Sequence, residues 1–403
     1  MTYQETVTWM FNQLPMYQMQ GAKALKHKLD NILLLSARLG QPHQQFKCIH
    51  VAGTNGKGSS SHMLASILQE EGYKVGLYTS PHLRDFRERI KVNGSEVPES
   101  FVVDFINEHK SFLSKESLSF FEMTVGMAFA YFAYAKVDIA IVEVGLGGRL
   151  DSTNIITPEV SLITNIGWDH TDILGSTLAQ IAYEKAGIIK YKVPVVISEY
   201  QRETAEVFMT VAKEREAPIV FASQIVDEVF TSDLKGFYQE QNKKGVLATL
   251  KCLEGFNISF EAIQQGFLNT VKNTGLLGRW QQLNEIPKVI CDTAHNLDGL
   301  TYVMRQLTNE VYDQLYMVIG FVKDKNIDEI LPLFPKNAHY FFCKPSIERG
   351  LSAELLRDKA ALFGLHGEVC NSVSVGYEKA LEKALPGDLV YIGGSTFVVA
   401  EIV

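Results

Sequence analysis

The chain lacks any apolar run long enough to span a bilayer. Its first residues, MTYQETVTWMFNQLP, carry polar and acidic side chains where a secretory signal needs an apolar core. Both absences favour a cytoplasmic protein. Cysteine is sparse: Cys48, Cys252, Cys291, Cys343 and Cys370 are odd in number, far apart and never arranged as Cys-x-x-Cys. Neither a zinc site nor a disulfide framework is indicated, and reduced, mostly buried thiols are expected. Positive charge is not in excess. The 46 acidic residues outnumber the 38 basic ones for a net charge of −8, so neither nucleic acid nor a membrane is expected as a partner. An anionic small molecule is compatible with this balance, because a local loop binds one against the overall field. The chain also has no Gly-x-Ser-x-Gly elbow and no persuasive Cys/His pair, so nothing points to a protein nucleophile.

What is present is an alternation. Residues 46–52 (FKCIHVA) read as a short buried strand and SSHMLASILQEEGY as the helix that follows. KVGLYTS, VDIAIVEVG (137–145), EVSLITNIG (159–167) and VPVVISEY (193–200) repeat the strand theme, and FFEMTVGMAFAYFAYAK (120–136) is a strongly apolar helix. Strands alternating with helices predict an α/β fold whose mostly parallel sheet is covered on both faces. Between 235 and 285 the character changes to amphipathic helix and then to the glycine-broken, polar NTGLLGRWQQLNEIP. A second strand series follows in KVICDTAHN, LYMVIGFV, HYFFCKP, GEVCNSV and DLVYIGGSTFVVAEIV. Two domains are expected, residues 1–285 and a smaller α/β domain over 286–403.

Between the first strand and the first helix stands Gly53-Thr54-Asn55-Gly56-Lys57-Gly58-Ser59. Glycines let successive N–H groups turn inward around an anion, and the helix N-terminus adds its positive end. Lys57 is placed to reach the β- and γ-phosphates of a nucleotide. The spacing departs from GxxxxGK[ST]: Val51 stands where the first glycine belongs, and Gly58 follows the lysine. The plain alternative is a glycine-rich turn with a solvated lysine.

The loop, taken with LYTSPHL, FFEMTVGMAFAYF, VEVGLGGRLDSTN, ITNIGWDHTDILG, IAYEKAGIIK, GRWQ and DTAHN, resembles the folylpolyglutamate synthase/dihydrofolate synthase branch of the Mur ligase superfamily. The likeness is dense over 26–190 and sparse after 300. It implies an N-terminal P-loop ATPase domain that binds ATP and folate, and a smaller C-terminal Rossmann-like domain for glutamate ligation. The implied activity is an ATP-dependent amide ligase acting on folate or dihydropteroate and L-glutamate through an acyl phosphate, as a monomer with two Mg2+ ions. The resemblance assigns ATP to Gly53 through Ser59, Asn242, Arg279 and Asp292, and metal to Ser80, Glu143, His170 and a carbamylated Lys185. It assigns the pteridine substrate to Ser119, Phe120, Phe121, Glu122, Leu150, Asp151 and Ser152, and glutamate to His295 and Ser395. Lys57, His170, Lys185 and His295 carry the catalysis. The family often reads DGAHN where this chain has Thr293.

The same residues have plainer readings. Glu143, a carboxylate in an apolar run, needs a partner, which a salt bridge to Arg149 would supply. His170, beside Asp169 and Asp172, has the plainer reading of a hydrogen-bonded loop residue, Ser80 that of a cap after a strand, and Lys185 that of a solvated helix lysine. A carbamate requires a neutral amine, which burial favours. Periodicity does not separate Phe120 and Phe121 as ring-stacking residues from Phe120 and Phe121 as core. A peptidoglycan-type Mur ligase acting on a UDP-linked muramyl substrate is the alternative enzyme, against which stand Gly58, where muramyl ligases carry threonine, and the short stretch ahead of the loop. A non-catalytic nucleotide switch would need the loop without Glu143, His170 and Lys185 together.

Overall fold

Only Lys47 of strand β1 (Lys47–Ala52) reaches solvent, as an apolar strand covered on both faces requires. In the computed structural model, which describes residues 1–14 and 29–403, β1 lies inside an eight-stranded sheet. Residues 15–28, including Pro15 of the N-terminal stretch and the start of the family-like span, lie outside the described residues. The other strands are β2 (Val75–Tyr78), β3 (Ile90–Val92), β4 (Ser95–Glu96), β5 (Ile139–Glu143), β6 (Val160–Ile163), β7 (Val195–Ile197) and β8 (Ile219–Phe221). Their order is β4-β3-β2-β5-β1-β6-β7-β8, and only the β3–β4 hairpin runs antiparallel to its neighbours. Helix Phe120–Ala135 packs on one face, contributing Met123, Met127, Phe129 and Phe132 to a core shared with Tyr78, Ala140 and Val142.

A second sheet contains β9 (Gln281–Asn284), β10 (Lys288–Cys291), β11 (Leu315–Ile319), β12 (His339–Phe342), β13 (Gly367–Val369) and β14 (Leu389–Gly393). Its order is β13-β12-β11-β14-β10-β9, parallel except for β9. Both sheets are therefore of the expected kind, and the second is the smaller. The compact units are Met1–Asp233 with Gln239–Gly275, and Leu234–Tyr238 with Leu276–Val403. The chain visits the second unit at Leu234–Tyr238 and enters it for the last time at Leu276, ahead of 286, because β9 pairs with β10 and brings 276–285 with it. Each sheet gathers loops at the carboxyl ends of its parallel strands, where ligands bind in open α/β sheets.

Candidate active site

Val51 of β1 lies opposite Glu143 of β5, so the loop after β1 starts beside the carboxyl end of β5. Gly53 leaves β1 at φ 146° and Gly56 precedes helix Lys57–Glu70 at φ 85°, both favourable to glycine. Neither has room for a side chain: a Cβ on Gly53 would strike the Thr164 hydroxyl, and one on Gly56 the Asn242 amide. Thr54 and Asn55 N–H donate to the carbonyl and side-chain oxygens of Asn165 (2.8 and 2.9 Å), and Thr164 Oγ1 donates to Asn55 O (2.5 Å). The segment after β6 thus braces the loop. The first helical bond runs from Ser60 N–H to Gly56 O (2.9 Å), and among the described residues no side chain caps the helix. The N–H groups of Lys57, Gly58 and Ser59 therefore have no acceptor within it, which makes the turn an anion site.

Two lysines converge on this loop. Lys57 Nζ donates to Gly53 O (3.0 Å) and Thr54 O (3.1 Å). Lys185, in helix Leu178–Ala186, donates to the same Gly53 carbonyl (2.9 Å) and is only 4% exposed. Burial first, and the Lys57 charge second, pull its pKa down to about 7 against the opposing pull of Asp169 and Asp151. The solvated-lysine reading is thereby excluded.

Glu143 ends β5 with 4% exposure, and its Oε2 accepts from Ser80 N–H (3.3 Å). Arg149 is not its partner: that guanidinium pairs with Glu184 (2.8 Å). The positive neighbour is Arg89, buried, whose charge acts on Glu143 and whose Nε donates to His82 Nδ1 (2.7 Å). Burial and Arg89 hold His82 neutral, with its pKa lowered to about 3. His170 sits in the left-handed region at φ 49°, with its N–H donating to Asp169 Oδ1 (2.9 Å). Positive φ is uncommon for a residue other than glycine and recurs at functional sites. Among the described residues, no three His, Cys, Asp or Glu side chains converge as a metal cage. The expected ligand set does not require one. A carboxylate, a serine oxygen and a carbamate oxygen are hard donors of the kind Mg2+ takes, with waters completing the shell.

The residues assigned to the pteridine divide. Ser119 and Glu122 form a capping box: Ser119 N–H and Oγ–H donate to Glu122 Oε2 (2.7 and 2.9 Å), and Glu122 N–H donates back to Ser119 Oγ (3.2 Å). Phe120 is enclosed by Phe11 (5.4 Å between centroids), Phe86 (5.9 Å) and the Arg89 guanidinium (5.3 Å). It is core, which corrects its assignment as a stacking residue. Phe121 is half-buried, lies against Gly145 just past Glu143, and leaves no space there for a Cβ. Asp151 is fully engaged: Oδ1 accepts from Thr153 N–H (3.0 Å) and Oγ1–H (2.5 Å), and Oδ2 from Leu146 N–H (2.9 Å). Its part is to shape the loop, where it leaves Leu150 and Ser152 half-buried.

In the second unit, Asp292 follows β10 and Ser395 follows β14, on adjacent parallel strands. Asp292 is 2% exposed and accepts from Tyr238 OH (2.6 Å), Trp280 N–H (2.7 Å) and Ala294 N–H (2.8 Å). Burial raises its pKa, and those hydrogen bonds with the Arg279 charge oppose the rise. Arg279 Nη1 donates to the Thr293 hydroxyl and to Gly278 O (3.2 Å), so Thr293 adds an acceptor that a glycine would not. His295 Nδ1 lies 3.0 Å from Thr293 O, and Ser395 Oγ caps the last helical turn by accepting from Phe397 N–H (3.2 Å).

The Mur ligase middle domain family matches residues 51–261, and the Mur ligase glutamate ligase domain family matches 278–396. A curated relative, the dihydrofolate synthase/folylpolyglutamate synthase of Escherichia coli, is 34% identical over 94% of this chain and 92% of its own length. The chain belongs to the folylpolyglutamate synthase/dihydrofolate synthase family of Mur ligases. The E. coli FolC structure in complex with DHPP and ADP superposes with TM-score 0.88 and 30% identity, covering 100% of this chain and 97% of that one. The Yersinia pestis bifunctional enzyme, complexed with AMPPNP and a Mn ion, gives TM-score 0.86 and 29% identity over 100% and 97%. A third relative, the probable bifunctional folylpolyglutamate synthase/dihydropteroate synthase of Haloferax volcanii, is 34% identical over the whole chain, which spans 50% of that protein's length. Family membership favours the folate reading over the peptidoglycan alternative.

Sequence reasoning missed Thr164, Asn165 and Gln239, although ITNIG and YQEQN contain them, because a bracing role has no spacing signal. It missed Arg89 because RDFRERI reads as a charged surface turn. The contrast between the two phenylalanines gives a test. Phe120→Ala should cost about 3–5 kcal/mol of stability, whereas Phe121→Ala should melt near the parent temperature and raise KM for the pteridine substrate. Thermal melts with steady-state kinetics read both, and the reverse pattern would contradict this placement of the rings.

Proposed function

We propose that this protein joins L-glutamate to a pteridine-bearing carboxylic acid with ATP as co-substrate, extending folates and also converting dihydropteroate to dihydrofolate. The observation that carries the reading is the convergence of Lys57 and buried Lys185 on the Gly53 carbonyl, at an uncapped helix N-terminus. A carboxylate oxygen of the acceptor attacks the γ-phosphorus, the bond to the β-bridging oxygen breaks and ADP departs, leaving an acyl phosphate. The glutamate α-amine then attacks the acyl carbon, loses its proton, and phosphate leaves. Such transfer calls for placement and charge neutralisation more than covalent chemistry.

Loop N–H groups and Lys57 hold the phosphates, and Thr164 with Asn165 keep the loop in shape. Ser80, Glu143, His170 and Lys185, the last as a carbamate, would hold two Mg2+ ions, which supply charge neutralisation at the γ-phosphate when bound. Asn242, Arg279 and Asp292 position the nucleotide, His295 and Ser395 the glutamate, and Phe121 with Leu150 and Ser152 the pteridine. ADP release measured with dihydropteroate or tetrahydrofolate, each with and without L-glutamate, tests the assignment. Glutamate-dependent release is expected with both. Release with tetrahydrofolate alone would restrict the enzyme to chain extension, and release with neither would overturn the reading.

A further inference from the structure

His50 stands in β1 between Ile49 and Val51 with 0% exposure, where an unpartnered imidazole is costly. Burial first, and the Lys190 charge second, hold the ring neutral, with its pKa lowered to about 3. Its Nε2 lies 2.9 Å from Oγ1 of Thr153, a buried residue that belongs to the turn Ser152–Ile155.

The next link decides which of the two atoms donates. Asp151 Oδ1 accepts from both Thr153 N–H and Thr153 Oγ1–H, and Oδ2 accepts from Leu146 N–H. Three donors on two oxygens make Asp151 an acceptor carboxylate, so the one proton of the Thr153 hydroxyl is committed to it. Thr153 Oγ1 therefore meets His50 as an acceptor, and the neutral ring carries its proton on Nε2. Nδ1 is the bare nitrogen, and among the described residues it has no hydrogen-bond partner.

The row of bonds thus starts on β1, which is held between β5 and β6, and ends on the stretch just past Glu143, where Gly145 lies against Phe121. The backbone around the turn has anchors of its own. Asn154 Nδ2 donates to Arg149 O and Gly187 O (3.0 Å each), and Lys190 Nζ donates to Asn154 O (2.8 Å). What His50 adds is the orientation of the Thr153 hydroxyl and, through it, of the Asp151 carboxylate.

We propose that His50 is a positioning residue for the pteridine-bearing acceptor. As the Nε2–H tautomer it fixes the Thr153 hydroxyl on Asp151, and Asp151 thereby keeps residues 145–152 in the shape that presents Leu150 and Ser152 and seats Gly145 against Phe121. His50 itself is buried and does not touch the acceptor. The inference rests on the assignment of the pteridine to that loop.

The test compares His50→Leu, which removes the donor, with His50→Gln, whose amide offers a donor at similar reach. ADP release is followed with the acceptor, dihydropteroate or tetrahydrofolate, varied at saturating ATP and glutamate, and then with ATP varied. His50→Leu should raise the acceptor KM by roughly three- to tenfold, with kcat and the ATP KM held within roughly twofold. His50→Gln should return the acceptor KM to within roughly twofold of the parent. A packing role alone reverses that order, because leucine is then the mild change and an amide in an apolar strand the harsh one. It also moves the melting temperature and the ATP KM together with the acceptor KM. An unchanged acceptor KM in His50→Leu, or glutamine worse than leucine, would overturn the inference. Ring 15N shifts of His50 in the parent protein give a readout that needs no variant to fold. A protonated Nε2 beside a bare Nδ1 is expected, and the Nδ1–H tautomer would rule the relay out. Leu150→Ala, assayed alongside, separates the two levels. If it keeps the parent acceptor KM, the pteridine assignment of the loop fails; if it raises that KM while His50→Leu does not, only the role of His50 fails.

Discussion

Lys57→Ala should abolish turnover and leave the fold intact. The side chain is half-exposed and, among the described residues, its ammonium bonds to two carbonyls of its own loop, so it contributes charge and not packing. The glycine geometry of the loop does not depend on it, because Thr164, Asn165 and Asn242 shape the turn from outside. Removing one preorganised charge-stabilising contact costs on the order of 2.7–4 kcal/mol of barrier, roughly a hundred- to a thousandfold in rate. Single-turnover ADP formation reads the loss, and circular dichroism with a thermal melt confirms the fold. A folded variant that forms ADP at near the parent rate would contradict the phosphate-loop assignment.

Lys185 should be as sensitive, for a different reason. Buried beside the Lys57 charge, with its pKa lowered to about 7, its amine is substantially neutral near neutral pH. A neutral amine attacks CO2, forming the N–C bond and losing a proton, and the product carries anionic oxygens of the kind Mg2+ binds. On the proposed carbamate, Lys185→Ala removes an oxygen donor and should cripple turnover. Lys185→Arg forms no carbamate and keeps a positive charge where the proposal places an anion, so it should be inactive too. Acetate or formate should partly restore the alanine variant by occupying the vacated space, and should do nothing for arginine. Labelled bicarbonate provides a direct readout: a carbamate carbon resonance in the parent enzyme, absent from both variants. An active Lys185→Arg enzyme without that resonance in the parent would end the carbamate proposal.

The strand series was legible because buried parallel strands are apolar runs whatever their neighbours, and KCIHVA, VGLY, IAIVE, VSLI and LVYIG all fall where the alternation places them. What escaped was the edges. β9 alternates half-buried and exposed positions through QQLN, so it reads as polar linker, and the crossing into the second unit was placed too late. The β3–β4 hairpin is too short to show a period. In the site, the loop and the segment around Lys185 stood out, but partner choice did not. Whether Glu143 faces Arg149 or Arg89 depends on which loop the fold brings over β5, and no spacing rule encodes that. Phe120 and Phe121 were inseparable because their helix is apolar nearly all round, and only the packing of Phe11 and Phe86 turns one ring into core.

The central claim is an acyl phosphate formed from the acceptor's carboxylate on the Gly53–Ser59 loop, and oxygen transfer tests it most directly. The acceptor, dihydropteroate or tetrahydrofolate as the ADP assay directs, is prepared with 18O in the reacting carboxylate and turned over with ATP and L-glutamate. Mass spectrometry of the released phosphate gives the answer. One 18O per phosphate, formed in step with ADP and amide product, is the predicted result. Amide product accompanied by phosphate free of label would contradict it.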